Sequence, residues 1–214
     1  MDWHSWHNHY DDTNSPMARR LGEVQKQIEL YLEQAPDGPL RIISVCAGQG
    51  RDLLGVLQGH QRRDDVSALL IDIEEKNTLA IEATAEKMEL ERIRGFTADA
   101  SEMDNYESMA PANLVLMCGV FGNIPDKDIR RTITLSRQLC NHGGRLIWTR
   151  HRREPDMVPQ ICDWFQAEDF EQERSARENE DYGVVTHRYL GTPQPFTPGA
   201  RMFEFVGYKS LREA

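Results

Sequence analysis

No apolar run in these 214 residues approaches the roughly 20 that a membrane-spanning helix needs. The first residues, Met1-Asp-Trp-His-Ser-Trp6, have neither the basic region nor the apolar core of a secretion signal. A cytoplasmic protein with no membrane partner is therefore expected. Positive charge is also scarce: 25 Lys and Arg stand against 35 Asp and Glu, a net charge of −10. That balance lacks the broad basic footprint used on nucleic acid, although Arg145 to Arg153 gathers four arginines and a histidine. Cys46, Cys118, Cys140 and Cys162 form no C-x-x-C pair, which points to buried free thiols in a reducing compartment rather than zinc. His4, His7 and His9 have no spacing that suits one helix face, so no metal is expected there. The chain shows no internal repeat.

With 39% hydrophobic and 28% charged residues, the chain has the composition of one globular α/β domain. Its organising stretch is Leu40 to Asp52. An apolar run through Cys46 ends in Ala47-Gly48-Gln49-Gly50, and Leu53, Leu54, Val56 and Leu57 then continue at helical spacing. Strand, glycine turn and helix follow in order. Glycine lets a ligand approach the backbone N–H groups, and the helix adds unpaired N–H groups at the same spot. Such a turn suits a carboxylate, a phosphate or a ribose. Leu53 stands where the dinucleotide fingerprint G-x-G-x-x-G needs its third glycine, and no Tyr-Lys or His-Asp device is present. A nicotinamide enzyme is thereby disfavoured.

A second run, Ala68 to Ile73, closes on Asp72, an acid able to accept hydrogen bonds from ribose hydroxyls. Asn77 to Leu90 reads as a helix with Leu79, Ala80, Ala83 and Thr84 inward. Arg94 to Ala100 is a short third strand ending in Thr-Ala-Asp99-Ala100, and Asn113 to Cys118 is an apolar fourth strand. Helices over 126–140 and 156–167 flank a fifth strand, Arg145–Thr149. His151, just beyond that strand, has a near-neutral pKa suited to a general base, and Arg150 suits an anionic substrate group. Phe170–Ser175 is a sixth strand. Gly183–Tyr189 and Met202–Val206 are two further strand-like runs, either of which could be the seventh. At the other end, Ser15-Pro16 reads as an N-cap and first helical residue, opening a helix marked by Leu21, Val24, Ile28 and Leu32. Trp6 and Tyr10 precede it.

Cys46-Ala-Gly-Gln-Gly-Arg-Asp52, Asp72, the Asp99 region and Cys118-Gly-Val-Phe-Gly-Asn123 together resemble the class I S-adenosylmethionine (SAM) dependent methyltransferases, over roughly residues 40–150. The resemblance implies a Rossmann-like α/β fold: a seven-stranded, mostly parallel sheet with helices on both faces and an N-terminal helical lid. Residues 1–35 would form the lid segment and helix, and residues 36–214 the SAM-binding domain. It places SAM against Ser44, Cys46, Ala47, Gly48 and Gly50. Asp72 would take the ribose and Asp99 the adenine amine, with Ile73, Ala100, Cys118 and Gly119 alongside. The methyl acceptor would be an oxygen or nitrogen of a small molecule, met by Trp6, Tyr10, Arg19, Phe121, Asn123 and Arg150, with His151 as the catalytic residue. The Asp/Asn-Pro-Pro-Tyr/Phe signature of enzymes that methylate adenine or glutamine amides is missing. Two positions depart from the family pattern. Ser44 replaces the acid, and Cys46 the first glycine, of its glycine-rich motif; Asp52 could supply the missing acid. A SAM-binding scaffold without turnover, and an RNA methyltransferase using Arg145–Arg153, are the alternatives.

Overall fold

The computed structural model describes residues 15–176, 181–207 and 210–211. Trp6, Tyr10 and the histidine cluster lie outside these residues. Helix α1 (Pro16–Gln34) starts as the sequence implies: Ser15 Oγ accepts the Ala18 N–H at 3.0 Å and proline occupies the first turn. Strand β1 (Leu40–Val45) leads through the glycine turn into α2 (Arg51–Leu57). The chain continues through β2 (Val66–Asp72), α3 (Glu75–Lys87), β3 (Ile93–Thr97), β4 (Ala112–Met117), α4 (Asp126–Leu139), β5 (Cys140–His151), α5 (Val158–Gln166), β6 (Phe170–Ser175) and β7 (Tyr182–Tyr189). Among the described residues, no helix is long and apolar enough to cross a membrane.

The seven strands form one sheet in the order β3-β2-β1-β4-β5-β7-β6. Neighbours from β3 to β5 are parallel, and β7 runs antiparallel between β5 and β6. This is the Rossmann-like sheet that the resemblance implies. Strand alternation divides the core in two. Ile43, Val45, Leu69, Val115 and Trp148 face α4 and α5, where Ile129, Ile133 and Phe165 meet them. Ile42, Leu70, Leu114 and Ile147 face the other way, against Ile28 and Leu32 of α1, Leu53 and Leu57 of α2 and Ile81 of α3.

Four local expectations change. Gly183–Tyr189 belongs to the seventh strand, whereas Met202–Val206 is an irregular segment outside the sheet. Helix α3 buries Asn77, Thr78, Ile81 and Ala85, leaving Leu79 61% exposed. Its inward face is fixed by Gly95 of β3, where an added Cβ would lie 2.6 Å from the Thr78 carbonyl. Helix α5 begins at Val158, because Asp156 Oδ1 accepts the Val158 N–H at 2.9 Å and so precedes the helix. The Gly143-Gly144 pair, expected to separate a helix from a strand, instead lies inside β5. There the pairing with β4 jumps from Ala112↔Cys140 to Leu114↔Arg145. At Gly144 a side chain would meet the Asn141 and Ala112 carbonyls at 2.9 and 3.0 Å.

Candidate functional site

A cavity of about 390 Å³ opens at the carboxyl ends of β1, β2 and β4 and the turn after β3. Parallel α/β sheets place ligands at this edge, because the loops diverge there. The glycine turn forms its floor. Ala47 N–H bonds the Ile71 carbonyl and Gly50 N–H the Ala47 carbonyl, each at 2.9 Å. Gly50 has φ 67°, and a Cβ there would sit 2.7 Å from Leu70 Cδ2, so both backbone and packing demand glycine. Cys46 also adopts a left-handed conformation, with φ 54°. That is the position where the family motif carries glycine, and a side chain here is strained.

Asp72, at the end of β2, is 8% exposed. Its Oδ2 accepts the Gly48 N–H at 2.8 Å, and its Oδ1 accepts the Glu74 N–H and the Asn77 amide, each at 3.0 Å. One carboxylate thus ties the glycine turn to the start of α3. The carboxylate cannot donate, so the Asn77 nitrogen must face it. Asn77 Oδ1, buried and without a hydrogen-bond partner, remains on a residue of the cavity wall.

Asp99 follows β3. Ser101 donates to its Oδ1 twice, from N–H at 2.9 Å and from the hydroxyl at 2.7 Å, and Arg201 Nη2 meets its Oδ2 at 2.5 Å. Burial alone would raise the Asp99 pKa, but the Ser101 bonds and the Arg201 guanidinium outweigh it and hold the carboxyl below its ordinary value. Asp52, 9% exposed in the first turn of α2, goes the other way. Burial pushes its pKa up, against the pull of its backbone hydrogen bonds and the charge of Arg20. Burial likewise raises the Cys46 and Cys118 thiols on the same wall. Neither is an activated nucleophile.

The C-terminal segment supplies a further wall. Met103 N–H bonds the Ala200 carbonyl at 2.9 Å and Met202 N–H the Ser101 carbonyl at 2.7 Å. Val206 and Gly207 N–H both bond the Asn123 carbonyl at 3.0 Å. This strap brings Phe203 and Phe205 to the cavity.

Ser44, Cys46, Ala47, Gly48, Asp72, Ile73, Asp99, Ala100, Cys118 and Gly119 all line this one cavity, and Asn123 joins them. Gly50 sits behind the turn instead. Of the other acceptor-side expectations, Trp6 and Tyr10 lie outside the described residues, and Phe121, Arg150, Arg19 and His151 are not on the cavity wall. Phe121 is fully buried, its ring 5.5 Å from Trp148 and 6.1 Å from Phe165, because the loop after β4 folds it into the core. Arg150 donates to the Phe121 carbonyl. Arg19 pairs with Asp181 at 2.7 Å, and its neighbour Arg20 takes the cavity wall. His151 is not on that wall; a Cβ added to Gly122 would lie 3.6 Å from its ring. Residues not singled out from the sequence include Arg20, Asn77, Phe203 and Phe205. The alternating apolar residues of Met202–Val206 were the signal for the last two, and they suggested a strand.

Residues 17–161 match a family model described as "Putative methyltransferase". No curated protein matches the chain. An O-methyltransferase family protein from Burkholderia thailandensis has a similar structure, with TM-score 0.60 and 15% identity over 87% of this chain; this chain covers 63% of that protein. The magnesium protoporphyrin IX methyltransferase of Synechocystis PCC 6803, with bound SAM, gives 0.66 at 14% identity, covering 87% of this chain and 90% of that one. The 1,6-didemethyltoxoflavin N1-methyltransferase of Burkholderia thailandensis, with bound 1,6-didemethyltoxoflavin and S-adenosylhomocysteine, gives 0.65 at 14% identity, covering 88% of this chain and 84% of that one. At these identities the likeness is one of fold.

Proposed function

This chain belongs to the methyltransferase family whose model spans residues 17–161, and from that premise we propose that it binds SAM in the cavity and passes the methyl group to an oxygen or nitrogen of a small molecule. One observation carries the reading. Positions expected to touch the cofactor, drawn from the ends of three strands and the turn after a fourth, line a single cavity.

The donor set fits the cofactor. Asp72 Oδ2 accepts one N–H, so it keeps capacity for a ribose hydroxyl. Asn77 Oδ1 is a buried acceptor lacking a protein partner, the kind of atom a ligand hydroxyl satisfies. Ile73, 69% exposed beside Asp72, offers an apolar surface to the base. At the other end Asp52 and Arg20 are matched to the ammonium and carboxylate of an amino acid. Asp52 thereby replaces the acid missing at Ser44.

Bound SAM supplies a methyl group already activated by a sulfonium. The protein's part is then to hold donor and acceptor in line and to keep water out. No histidine lies on the described cavity wall, and the reading needs none. The acceptor enters past Gly119, Asn123 and Phe205. A charge of −10 disfavours a nucleic-acid acceptor.

Thermal unfolding with SAM, S-adenosylhomocysteine and NAD tests the cofactor. At a hundredfold excess over Kd, a ligand adds about 2.7 kcal/mol, a rise of roughly 5–10 °C for a chain of this size. A rise with the two sulfur compounds and none with NAD is expected; no response to either would overturn the proposal. Transfer of a labelled methyl group to a small-molecule panel then separates an enzyme from a SAM-binding scaffold.

A further inference from the structure

We infer that Arg201 determines which nucleobase the cavity admits, by leaving Asp99 one directed acceptor position. The inference rests on the cofactor reading above. A carboxylate offers about four acceptor positions. On Asp99 the two bonds from Ser101 occupy Oδ1, and Arg201 takes one position on Oδ2. What remains, on a residue of the cavity wall, suits one N–H donor. It accepts the 6-amine of adenine and repels the carbonyl that hypoxanthine presents at the same place.

Arg201 is held for this task from 102 residues away in the chain. Its guanidinium also reaches Glu102 Oε1 at 3.5 Å and the Phe203 carbonyl at 3.3 Å. Its backbone pairs with Glu102 in an isolated antiparallel bridge, and Met202 N–H is fixed to the Ser101 carbonyl. Side chain and main chain thus lock onto the Asp99–Met103 turn together. If the guanidinium is removed, water fills the vacated position on Oδ2. Water can turn a hydrogen toward a carbonyl or a lone pair toward an amine, so it adapts to either base. Arg201 is in this sense a positioning residue, acting through Asp99.

The test measures affinity by titration calorimetry for S-adenosylhomocysteine and for S-inosylhomocysteine, in which a carbonyl replaces the amine. The intact protein should prefer the adenosine compound by roughly tenfold to a hundredfold, the range for a hydrogen bond to a charged group. In Arg201→Ala, adenosine affinity should fall about tenfold and the preference should shrink to within about threefold. Arg201→Lys, which keeps the charge and loses the fork, should fall between the two. Thermal unfolding of each variant without ligand monitors the fold. Should Arg201→Ala prove unstable, Arg201→Gln replaces it.

If both compounds weaken equally in Arg201→Ala, Arg201 only braces the strap and the inference is overturned. An unchanged preference in Arg201→Ala, or none in the intact protein, overturns it as well while leaving the cofactor proposal standing. If the intact protein binds neither compound, the cofactor proposal itself has failed.

Discussion

The two sides of the sheet spend their buried residues differently. Around β5, β7, β6 and α5 the interior is aromatic. Trp148 stacks on Phe165 with ring centroids 5.8 Å apart, Phe165 stacks on His187 at 4.4 Å, and Phe170 meets Phe165 edge-on at 5.3 Å. Trp148 Nε1 donates to His187 Nδ1 at 3.1 Å. At the carboxyl ends of β1 to β4, the same sheet holds a strained Cys46, a desolvated Asp52 and the acids Asp72 and Asp99 beside a cavity. One side maximises packing, and the other accepts local cost where a ligand can offset it. Substitutions on the aromatic side should therefore lower stability without changing ligand affinity, whereas those on the cavity side should change affinity and can relieve a local cost.

The largest effect is expected on the aromatic side. Phe165→Ala should cost about 3–5 kcal/mol and lower Tm by roughly 6–20 °C, with cofactor affinity of the folded fraction unchanged. A matching loss of affinity, read by calorimetry below the new Tm, would break the division. Asp72→Ala is its counterpart on the cavity side. It should weaken S-adenosylhomocysteine binding by at least tenfold, and Asp72→Asn separates lost charge from lost support of the Gly48 turn. Full affinity in both variants would remove Asp72 from the ribose role.

His187 gives the aromatic side a pH signature. Burial lowers its pKa to about 3, against about 6.5 in the unfolded chain. Between these values the unfolded state binds the extra proton, so stability falls as pH drops from 6.5 toward 3 and is insensitive to this group above 6.5. Urea unfolding across that range should show the slope, and His187→Phe should remove this residue's share. Asp52 is the converse case. Its folded pKa is raised, so the ionised form costs stability once pH exceeds the unfolded value. Asp52→Asn should therefore raise Tm at pH 7 while weakening SAM binding by roughly tenfold. In the intact protein, SAM affinity should decline as pH falls through the raised Asp52 pKa, and a flat profile would deny Asp52 the ammonium. The smallest effect belongs to Cys46→Gly compared with Cys46→Ala. Glycine relieves the left-handed strain and alanine retains it, so the glycine variant should be the more stable of the two by about 1 kcal/mol.

Local chemistry made much of this legible in the sequence. Apolar runs mark a strand wherever they occur, and a glycine turn followed by a helical pattern announces itself within a dozen residues. Asp72 closes β2 and Asp99 follows β3 by two residues, so their common edge followed once the sheet was inferred to be parallel. The acceptor side was less legible. Arg19 and Arg20 are adjacent in sequence, yet one residue turns a helix by about 100°. Only the docking of α1 decides which of them faces the cavity. Phe121 reads like a cavity aromatic until the loop after β4 turns it toward Trp148 and Phe165.

By itself the sequence determined the strand ends, the glycine turn and the acids beside them, because short-range periodicity and backbone freedom are properties of neighbouring residues. The tertiary structure alone decided that α3 buries Ile81 rather than Leu79, that Met202–Val206 is a cavity wall and not a strand, and that Arg201 meets Asp99. Each of these depends on which surfaces remain unfilled after the sheet has formed, a property of the packed molecule that no local stretch of chain contains.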